Sequence, residues 1–486
     1  MRAAGLGAAA LVAAALVAGC TVQVNGGGTP AAATSPLTPA AALPSGSRQT
    51  PVAPGAGVTA RPQSSALPFE ARKVRLARVQ DQLALQFEMV NSGTERQSPS
   101  MLGIDLVQQL VMLADLPRRT GYSVLAAGPP TADGRISANV DEFLEPGTSA
   151  TITVMFAPPP EETTTMMVMI AGFLPVEVPV ERDADLVDDP VLHSGPPTED
   201  DGSVGPLSCI AGSEGDGKAA ATKRVELPSD VLFAFGSATL SPAATGALDE
   251  LGKQLGGAGS GSIRVEGHTD AVDDDQFNQQ LSEQRAAAVR DALAARLGNS
   301  YTYGASGAGE SRPIAANAKP DGSDDPDGRA LNRRVEITIE TDAASTAAEA
   351  DPSGEEDVDP LTGFTAEPRS VRRVPGFALV QVALRNSGGA DARLDFASDS
   401  YNEWQGELSL VDSTGGRHKP CDFAAPVYFN YVGTLTSAFG DDINETVPAG
   451  ATVVLWSLFA LPAVDSASVD VHVAGLSENV PTPVET

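Results

Sequence analysis

Two separated parts of the chain carry large apolar side chains at every second position, a pattern typical of half-buried β-strands. In the first part this alternation runs from Leu83 to Met89 and ends at the turn Asn91-Ser92-Gly93. Apolar runs over residues 151–156 and 166–171 indicate two further strands. Because one face of such strands must pack on a core, we predict an all-β sandwich over residues 66–182.

The same pattern recurs near the C-terminus. Asn386-Ser387-Gly388 follows an apolar run as Asn91-Ser92-Gly93 does, and Phe459 follows Gly450 at the spacing by which Phe156 follows Gly147. Agreement of several features in order predicts an internal repeat, with a second β-sandwich over residues 363–477. Both copies resemble the broad class of immunoglobulin-like domains of bacterial surface proteins, a class without a shared ligand.

Between these two parts, strands and helices alternate. A helix is predicted from Ser241 to Leu255, because Ser241 suits the N-cap and Pro242 the first helical position. A second helix is predicted over residues 276–297. Strands are predicted over residues 230–235, 262–267, 301–306 and 333–341. This alternation predicts a central α/β (α+β) sandwich over residues 223–342.

The chain begins with an apolar run that follows Arg2 and ends in Leu16-Val17-Ala18-Gly19-Cys20. Residues 1–19 are typical of a secretory signal peptide, and the last five residues of the run resemble a bacterial lipobox. That resemblance implies that Cys20 becomes the mature N-terminus and carries diacylglycerol and acyl chains such as palmitate. The alternative is an ordinary exported protein with an incidental Cys. Residues 20–65, rich in Gly, Pro, Ala, Thr and Ser, are predicted to be a disordered tether.

The net charge of −31 at pH 7 argues against a nucleic-acid partner. Acidic, Pro- and Gly-rich stretches over residues 183–222 and 343–362 are predicted to be extended linkers, because like charges repel each other. Residues 478–486 are predicted to be a tail. The sequence therefore predicts a multidomain chain in which two all-β, immunoglobulin-like sandwiches flank a central α/β sandwich.

One strand, turn and helix bring opposite charges together. The strand 262–267 ends at a polar turn that carries Asp270, and the following helix carries Asn278 and Arg285 two turns apart on one face. Phe277 lies on the neighbouring face. An aspartate beside an arginine complements a zwitterion, because arginine grips a carboxylate with two N–H groups and aspartate accepts hydrogen bonds from an ammonium. The alternative is that Asp270 and Arg285 simply pair with each other.

Five motifs occur in a characteristic order. They are Phe235-Gly236-Ser237-Ala238-Thr239-Leu240; Gly267-His268-Thr269-Asp270; Asn278 with Leu281-Ser282 and Arg285-Ala286; Gly307-Ala308-Gly309-Glu310 with Pro313; and Asn332-Arg333-Arg334-Val335-Glu336-Ile337. This order resembles the OmpA-like peptidoglycan-binding domain. The resemblance implies that Asp270 and Arg285 hold diaminopimelate, the zwitterionic residue of the wall's stem peptide, with Asn278 and Thr269 in the same site. It gives Arg333 and Arg334 either a structural role or a ligand contact.

Signals for other chemistry are weak. The His and Cys residues have no zinc-ligand spacing, and no nucleophile elbow or phosphate loop occurs, so we expect no metal, no cofactor and no catalysis. Beside a lipidated Cys20, Cys209 and Cys421 either form one disulfide or remain free thiols. The acidic loop 321–328 is expected to be solvated, with calcium binding as the alternative.

Together these patterns predict a lipid-anchored protein of the cell envelope. The anchor would lie in an outer membrane or on the extracytoplasmic face of the cell membrane, and non-covalent binding of peptidoglycan would link that membrane to the wall. The alternative function is an interaction scaffold, whose β-sandwiches bind an envelope protein while wall binding only positions them.

Overall fold

The fold is described in a computed structural model over most of the chain beyond residue 56. The described residues are 57–98, 111–125, 143–182, 185–193, 204–207, 209–214, 222–234, 236–241, 244–245, 248–249, 251–252, 260–341, 361–395, 408–411, 417–418, 420, 444–460 and 467–485. The predicted signal peptide, Cys20, most of the tether, Cys421 and nearly all of the second acidic linker lie outside these ranges.

The N-terminal flank, described residues 57–207, is a β-sheet structure. Its strands are β1 (Val58–Ala60), β2 (Phe69–Val79), β3 (Gln82–Asn91), β4 (Val111–Asp115), β5 (Thr120–Ser123), β6 (Ser149–Phe156), β7 (Thr165–Ile170), β8 (Val176–Glu181) and β9 (Val204–Pro206). They are ordered β6-β3-β2-β8-β7-β4-β5-β9, with β1 beside β2. Strand β8 joins two parts of the sheet, since it lies parallel to β2 and antiparallel to β7. Phe69, Phe87 and Phe156 are among the buried side chains of its core.

The central region, described residues 209–341, combines strands and helices. Its strands are β10 (Cys209–Glu214), β11 (Thr222–Pro228), β12 (Gly261–His268), β13 (Tyr301–Gly309) and β14 (Arg334–Thr341), and its helices are α1 (Ser229–Leu232), α2 (Asp275–Leu297) and α3 (Pro326–Asn332). Residues 244–245, 248–249 and 251–252 are also helical, and Ser241 Oγ accepts from Ala244 N (3.0 Å) as an N-cap does. The strand order is β13-β12-β14-β11-β10. Because β12 and β13 are parallel, α2 is the crossover between them.

The C-terminal flank, described residues 361–485, is again built of strands. They are β15 (Phe364–Val374), β16 (Phe377–Asn386), β17 (Ala392–Asp395), β18 (Leu408–Val411), β19 (Arg417–His418), β20 (Asn444–Val447), β21 (Thr452–Ala460), β22 (Ser468–Val473) and β23 (Val480–Glu485). Strand β10 of the central region pairs with β19, so the central sheet continues into this flank.

The two flanks share one pattern of strand pairing. Strand β3 lies antiparallel to β2 and β6, and β8 lies parallel to β2; β16, β15, β21 and β23 repeat this arrangement. After β3, the side chain of Asn91 donates to two backbone carbonyls and accepts from the N–H of Gly93. Asn386 makes the same set of bonds, including the one from Gly388. The flanks therefore match each other down to the hydrogen bonds of one turn.

The flanks also pack against each other through an apolar interface. Its buried members are Met112, Ala114, Leu116, Met167, Met169 and Leu207 of the N-terminal flank and Val374, Phe377, Leu379, Trp456 and Leu458 of the C-terminal flank. Residues 61–65 lie across the two flanks, since Gln63 N donates to Gly172 O and Val454 N donates to Gln63 O, each over 2.8 Å. All described residues belong to one compact unit.

In coarse form the predicted fold class is confirmed, because β-rich flanks surround a smaller part that contains both strands and helices. The immunoglobulin-like sandwich form of the flanks and the domain boundaries stay predictions. Within the central region, strands β12, β13 and β14 and helix α2 lie where the pattern predicts them.

The strand predicted over residues 230–235 is wrong. The strand ends at Pro228, and the chain then turns through α1, with Phe233 N donating to Ser229 O over 2.9 Å. Leu232 and Phe233 are buried in the core beneath this turn. A short apolar run reports burial, and burial does not require a strand.

Three segments predicted to lack regular structure are partly paired. Residues 58–65 of the tether contain β1 and the backbone bonds between the flanks, and the first acidic linker contains β9 and β10. The tail contains β23, which pairs with β22 and β15. Backbone N–H and C=O groups can pair whatever the side chains are, so a polar or small-residue composition does not exclude a strand.

Candidate ligand-binding site

The site lies where β12 ends beneath α2. A Cβ atom at Gly267 would lie 2.2 Å from the backbone oxygen of Ser282, and one at Gly307 would lie 2.3 Å from its Oγ. Only glycine fits at such distances. The two glycines therefore let the helix pack directly on the ends of β12 and β13, and Arg285 follows Ser282 by about one turn.

Asp270 follows β12 and is mostly buried, with 8% of its surface exposed. Its Oδ2 accepts a hydrogen bond from Arg333 Nη1 (2.6 Å), and Arg329 Nε lies 3.6 Å from the same oxygen. Its Oδ1 accepts from the backbone N–H of Val272 (3.2 Å). The carboxylate is thus fixed in place by the backbone on one side and by arginines on the other.

Arg285 is 4% exposed, yet its guanidinium has no carboxylate partner within 4 Å among the described residues. Its Nε donates to Ser237 O (2.9 Å), and the guanidinium lies 5.3 Å from the centre of the Phe233 ring. Burial lowers the pKa of Arg285 and the positive Arg333 adds to this, while Asp230 and Asp270 oppose it. Asp270 and Arg285 therefore do not form the direct ion pair that was the alternative prediction.

Asn278 and Thr269 lie beside this pair. The Asn278 side-chain amide donates to Val272 O (2.7 Å), to Asp270 O (3.3 Å) and to Glu310 Oε2 (2.6 Å), so it fixes the backbone that carries Asp270. Thr269 N donates to Gly309 O (2.9 Å). The Thr269 hydroxyl is buried and has no hydrogen-bond partner among the described residues.

Arg333 holds two aspartates together. Its Nε and Nη2 donate to the two carboxylate oxygens of Asp230 (2.8 and 2.6 Å), while Nη1 donates to Asp270. Burial alone would lower the pKa of Arg333, but the bonds to Asp230 and Asp270 outweigh it and raise the pKa. The sequence left open whether Arg333 has a structural role or contacts the ligand. The roles of Asp230, Arg329 and Glu310 were not predicted from the sequence. Asp230 and Arg329 carry no local pattern, whereas Glu310 lies in a motif that signalled only the family.

The buried face of α2 differs from a simple apolar stripe. Asn278, Ser282 and Arg285 are buried on it together with apolar residues of the later turns, while Phe277 is 43% exposed. In the first half of the helix, these polar residues form the face that packs on the sheet. The helix therefore buries polar side chains where it forms the site.

His268 is buried between two ion pairs. Its Nε2 lies 3.5 Å from Glu266 and from Glu336, but these carboxylates are already bound by Arg312 and Arg334. Burial lowers its pKa to about 3, and the two arginines contribute to this. Because the pairs cancel the carboxylate charges, we conclude that His268 is neutral near pH 7.

The acidic loop 321–328 uses several of its carboxylates internally. Asp325 caps α3 by accepting from Gly328 N (3.1 Å), and Asp324 pairs with Arg329. In the part of the chain that the structure describes, no three His, Cys, Asp or Glu side chains are grouped as metal ligands would be. Within the same ranges, no helix combines the length and the apolar character needed to cross a membrane.

Comparison with known proteins identifies the central region. Residues 232–325 match the OmpA family. Photosystem I P700 chlorophyll a apoprotein A2 of Gloeobacter violaceus is 42% identical over 116 residues, which cover 24% of this chain and 13% of that protein. Outer membrane protein A of Klebsiella pneumoniae is 41% identical over 128 residues, 24% of this chain and 36% of that protein. Among solved structures, the cell wall anchor of the T6SS from Pseudomonas aeruginosa is 28% identical in the matched part, with a TM-score of 0.22. The match covers 27% of this chain and 88% of that anchor.

The central region thus contains an OmpA family domain, matched over residues 232–325. The chain spans 13% and 36% of the length of these two relatives.

Proposed function

We propose that the OmpA family domain binds peptidoglycan non-covalently and without catalysis, through the diaminopimelate of the stem peptide. The observation that carries this proposal is the Arg285 guanidinium, which is buried without a carboxylate within 4 Å among the described residues. A buried charge of this kind is costly unless something compensates it. A ligand carboxylate on Nη1 and Nη2 would supply the missing partner, because Nε is already bonded to Ser237 O.

Asp270 would accept a hydrogen bond from the ammonium of the same ligand. This contact competes with Arg333 for Oδ2, but Arg333 keeps both of its bonds to Asp230 when Asp270 turns to the ligand. Each charge-assisted hydrogen bond of this kind contributes roughly 1.5–3 kcal/mol. Recognition would thus depend on a carboxylate and an ammonium in one small molecule. Asn278 and Thr269 would position the backbone on which Asp270 is held.

We further propose that Cys20 is lipidated and that the acyl chains hold the protein in a membrane of the cell envelope. The protein would then link that membrane to the wall, with immunoglobulin-like flanks between anchor and wall. Loss of membrane association in a Cys20→Ala variant, with unchanged peptidoglycan binding, is the expected result for this part of the proposal.

The decisive experiment is co-sedimentation of the full chain with insoluble peptidoglycan that contains diaminopimelate. The parent should pellet, whereas Asp270→Ala and Arg285→Ala should remain in the supernatant. Arg290→Ala serves as the matched control, since Arg290 lies on the same helix and pairs only with the exposed Asp291 among the described residues. A parent that stays in the supernatant would refute the proposed function.

Competition with small molecules tests the zwitterion directly. Free diaminopimelate should release the protein from the wall, while glutarate and cadaverine, which each offer charges of one sign, should not. Release by glutarate alone would show that Asp270 takes no part in recognition.

A further inference from the structure

Helix α3 has contacts on both the site and the flanks. On the site, Arg329 Nε lies 3.6 Å from Asp270, and Arg333, the next residue after the helix, donates to the same carboxylate over 2.6 Å. The buried Asn332 donates to Asn317 Oδ1 (3.0 Å), which in turn accepts from Ala271 N (3.3 Å). The position of the loop that carries Asp270 therefore depends on the position of α3.

On its other side, α3 is held by the N-terminal flank. The turn between β4 and β5 carries Arg118, which is almost fully buried and bonded to Asp115 (3.1 Å). The same Nη1 reaches across to Asp327 of α3 (3.2 Å). Arg119 of this turn pairs with Glu226 of β11. Two adjacent arginines of the flank thus bind two separate elements of the OmpA family domain.

The C-terminal flank reaches the same helix. A Cβ atom at Gly376, in the turn between β15 and β16, would lie 3.1 Å from Leu331 Cδ2 and 3.4 Å from Arg119 Nε. Gly376 has a φ of 75°, which side chains other than glycine rarely adopt. The Arg119 guanidinium also lies over the ring of Phe377 (5.6 Å). Both flanks therefore meet α3 at one junction.

We propose that this junction sets the affinity of the site for its wall ligand by positioning α3. Asp327, Arg118 and Gly376 are positioning residues, which act on Asp270 through Arg329, Asn332 and Arg333. The inference rests on the proposed function for its ligand, but the mechanical link does not depend on it. A displacement of the flanks would then change how firmly the protein holds the wall.

Asp327→Asn is the test variant, because Asp327 is partly exposed and its loss leaves Arg118 paired with Asp115. Gly376→Ala is a second variant at the other contact. Arg372→Gln is the matched control, since Arg372 pairs with Glu177 between the two flanks (3.0 Å) and makes no hydrogen bond or ion pair with α3 among the described residues. All three are compared with the parent as full chains.

Peptidoglycan affinity should fall about fivefold or more in Asp327→Asn and Gly376→Ala and stay within twofold of the parent in Arg372→Gln. Unfolding temperatures are measured in parallel, so that a loss of fold is separated from a loss of affinity. The inference is overturned if the two test variants bind like the parent, or if Arg372→Gln is weakened as much as they are.

Amide hydrogen exchange without ligand gives an independent measure of the same link. The amides of Ala271 and Val272 donate to Asn317 and Asp270, so their exchange reports the position of this loop. Exchange at both should be about fivefold faster or more in Asp327→Asn and unchanged in Arg372→Gln. If the parent does not bind the wall, the proposed function fails, while equal exchange in parent and Asp327→Asn refutes the coupling itself.

Discussion

Replacing Arg285 by methionine should make the protein more stable and less able to bind. Methionine matches the length of the arginine stem but carries no charge. In the ligand-free protein the guanidinium is buried without a carboxylate partner within 4 Å among the described residues, and burial lowers its pKa. We therefore expect Arg285 to destabilise the protein in the absence of its ligand.

The magnitude follows from the contacts of Arg285. Taking a charged group out of water costs several kcal/mol even after relaxation of the protein, roughly 5 kcal/mol for this guanidinium. The hydrogen bond to Ser237 O recovers about 2 kcal/mol, and the contact with the Phe233 ring recovers about 1–2 kcal/mol. We therefore expect Arg285→Met to increase the free energy of unfolding by about 1–2 kcal/mol and to raise the unfolding temperature by about 2 °C.

Chemical unfolding and peptidoglycan co-sedimentation on the same samples test this trade-off. Binding should weaken at least about tenfold, since one lost charge-assisted hydrogen bond exceeds 1.4 kcal/mol. Arg290→Met, on the exposed side of the same helix, should change neither quantity appreciably. A variant that loses stability but still binds the wall would show that Arg285 is a structural residue and takes no part in ligand binding.

Three further predictions concern the fold. Gly307→Ala should destabilise the protein by about 1–3 kcal/mol in chemical unfolding, because its Cβ would lie 2.5 Å from a backbone nitrogen of α2, while Gly304→Ala has its nearest neighbour at 3.7 Å and should be nearly neutral. His268 has a pKa of about 3 in the folded protein, below its unfolded value of 6.5. As the pH falls from 6.5 towards 3, only the unfolded state binds a proton at this residue, so the free energy of unfolding decreases over that range. Between pH 6.5 and 5 the parent should lose about 2 kcal/mol more than His268→Gln, and equal losses would refute this assignment. Cys209 lies in β10, which pairs with β19, and Cys421 follows the last residue of β19 by three positions. We expect a disulfide between Cys209 and Cys421, and labelling of these two thiols without prior reduction would contradict it.

Much of the fold could be predicted from alternation and periodicity, since these report which side of an element faces a core. Strands such as β3 and β12 and helix α2 were found in this way. The failures share a cause. Residues 58–65 and β23 are ordered by backbone bonds to other strands, and such bonds leave no mark on composition.

The site was predictable only in part, because its residues are distant in sequence. Asp270 and Arg285 belong to one strand–turn–helix unit, so their spacing brings them together in any fold that contains it. Asp230 comes from α1 and Arg329 from α3, and nothing local connects either of them to Asp270. Only the folded domain brings Asp230 to Arg333 and Arg329 to Asp270.

The apolar interface between the flanks also constrains the order of folding. Met112 and Met169 share one buried apolar cluster with Trp456 and Leu458, which the ribosome adds about 290 to 350 residues later. Until then the N-terminal flank presents an apolar surface to its surroundings, and contacts that span such a sequence separation form slowly. The strands of the OmpA family domain's own sheet, β10 to β14, all precede the C-terminal flank in the sequence, so the domain can pair them before Trp456 and Leu458 are made.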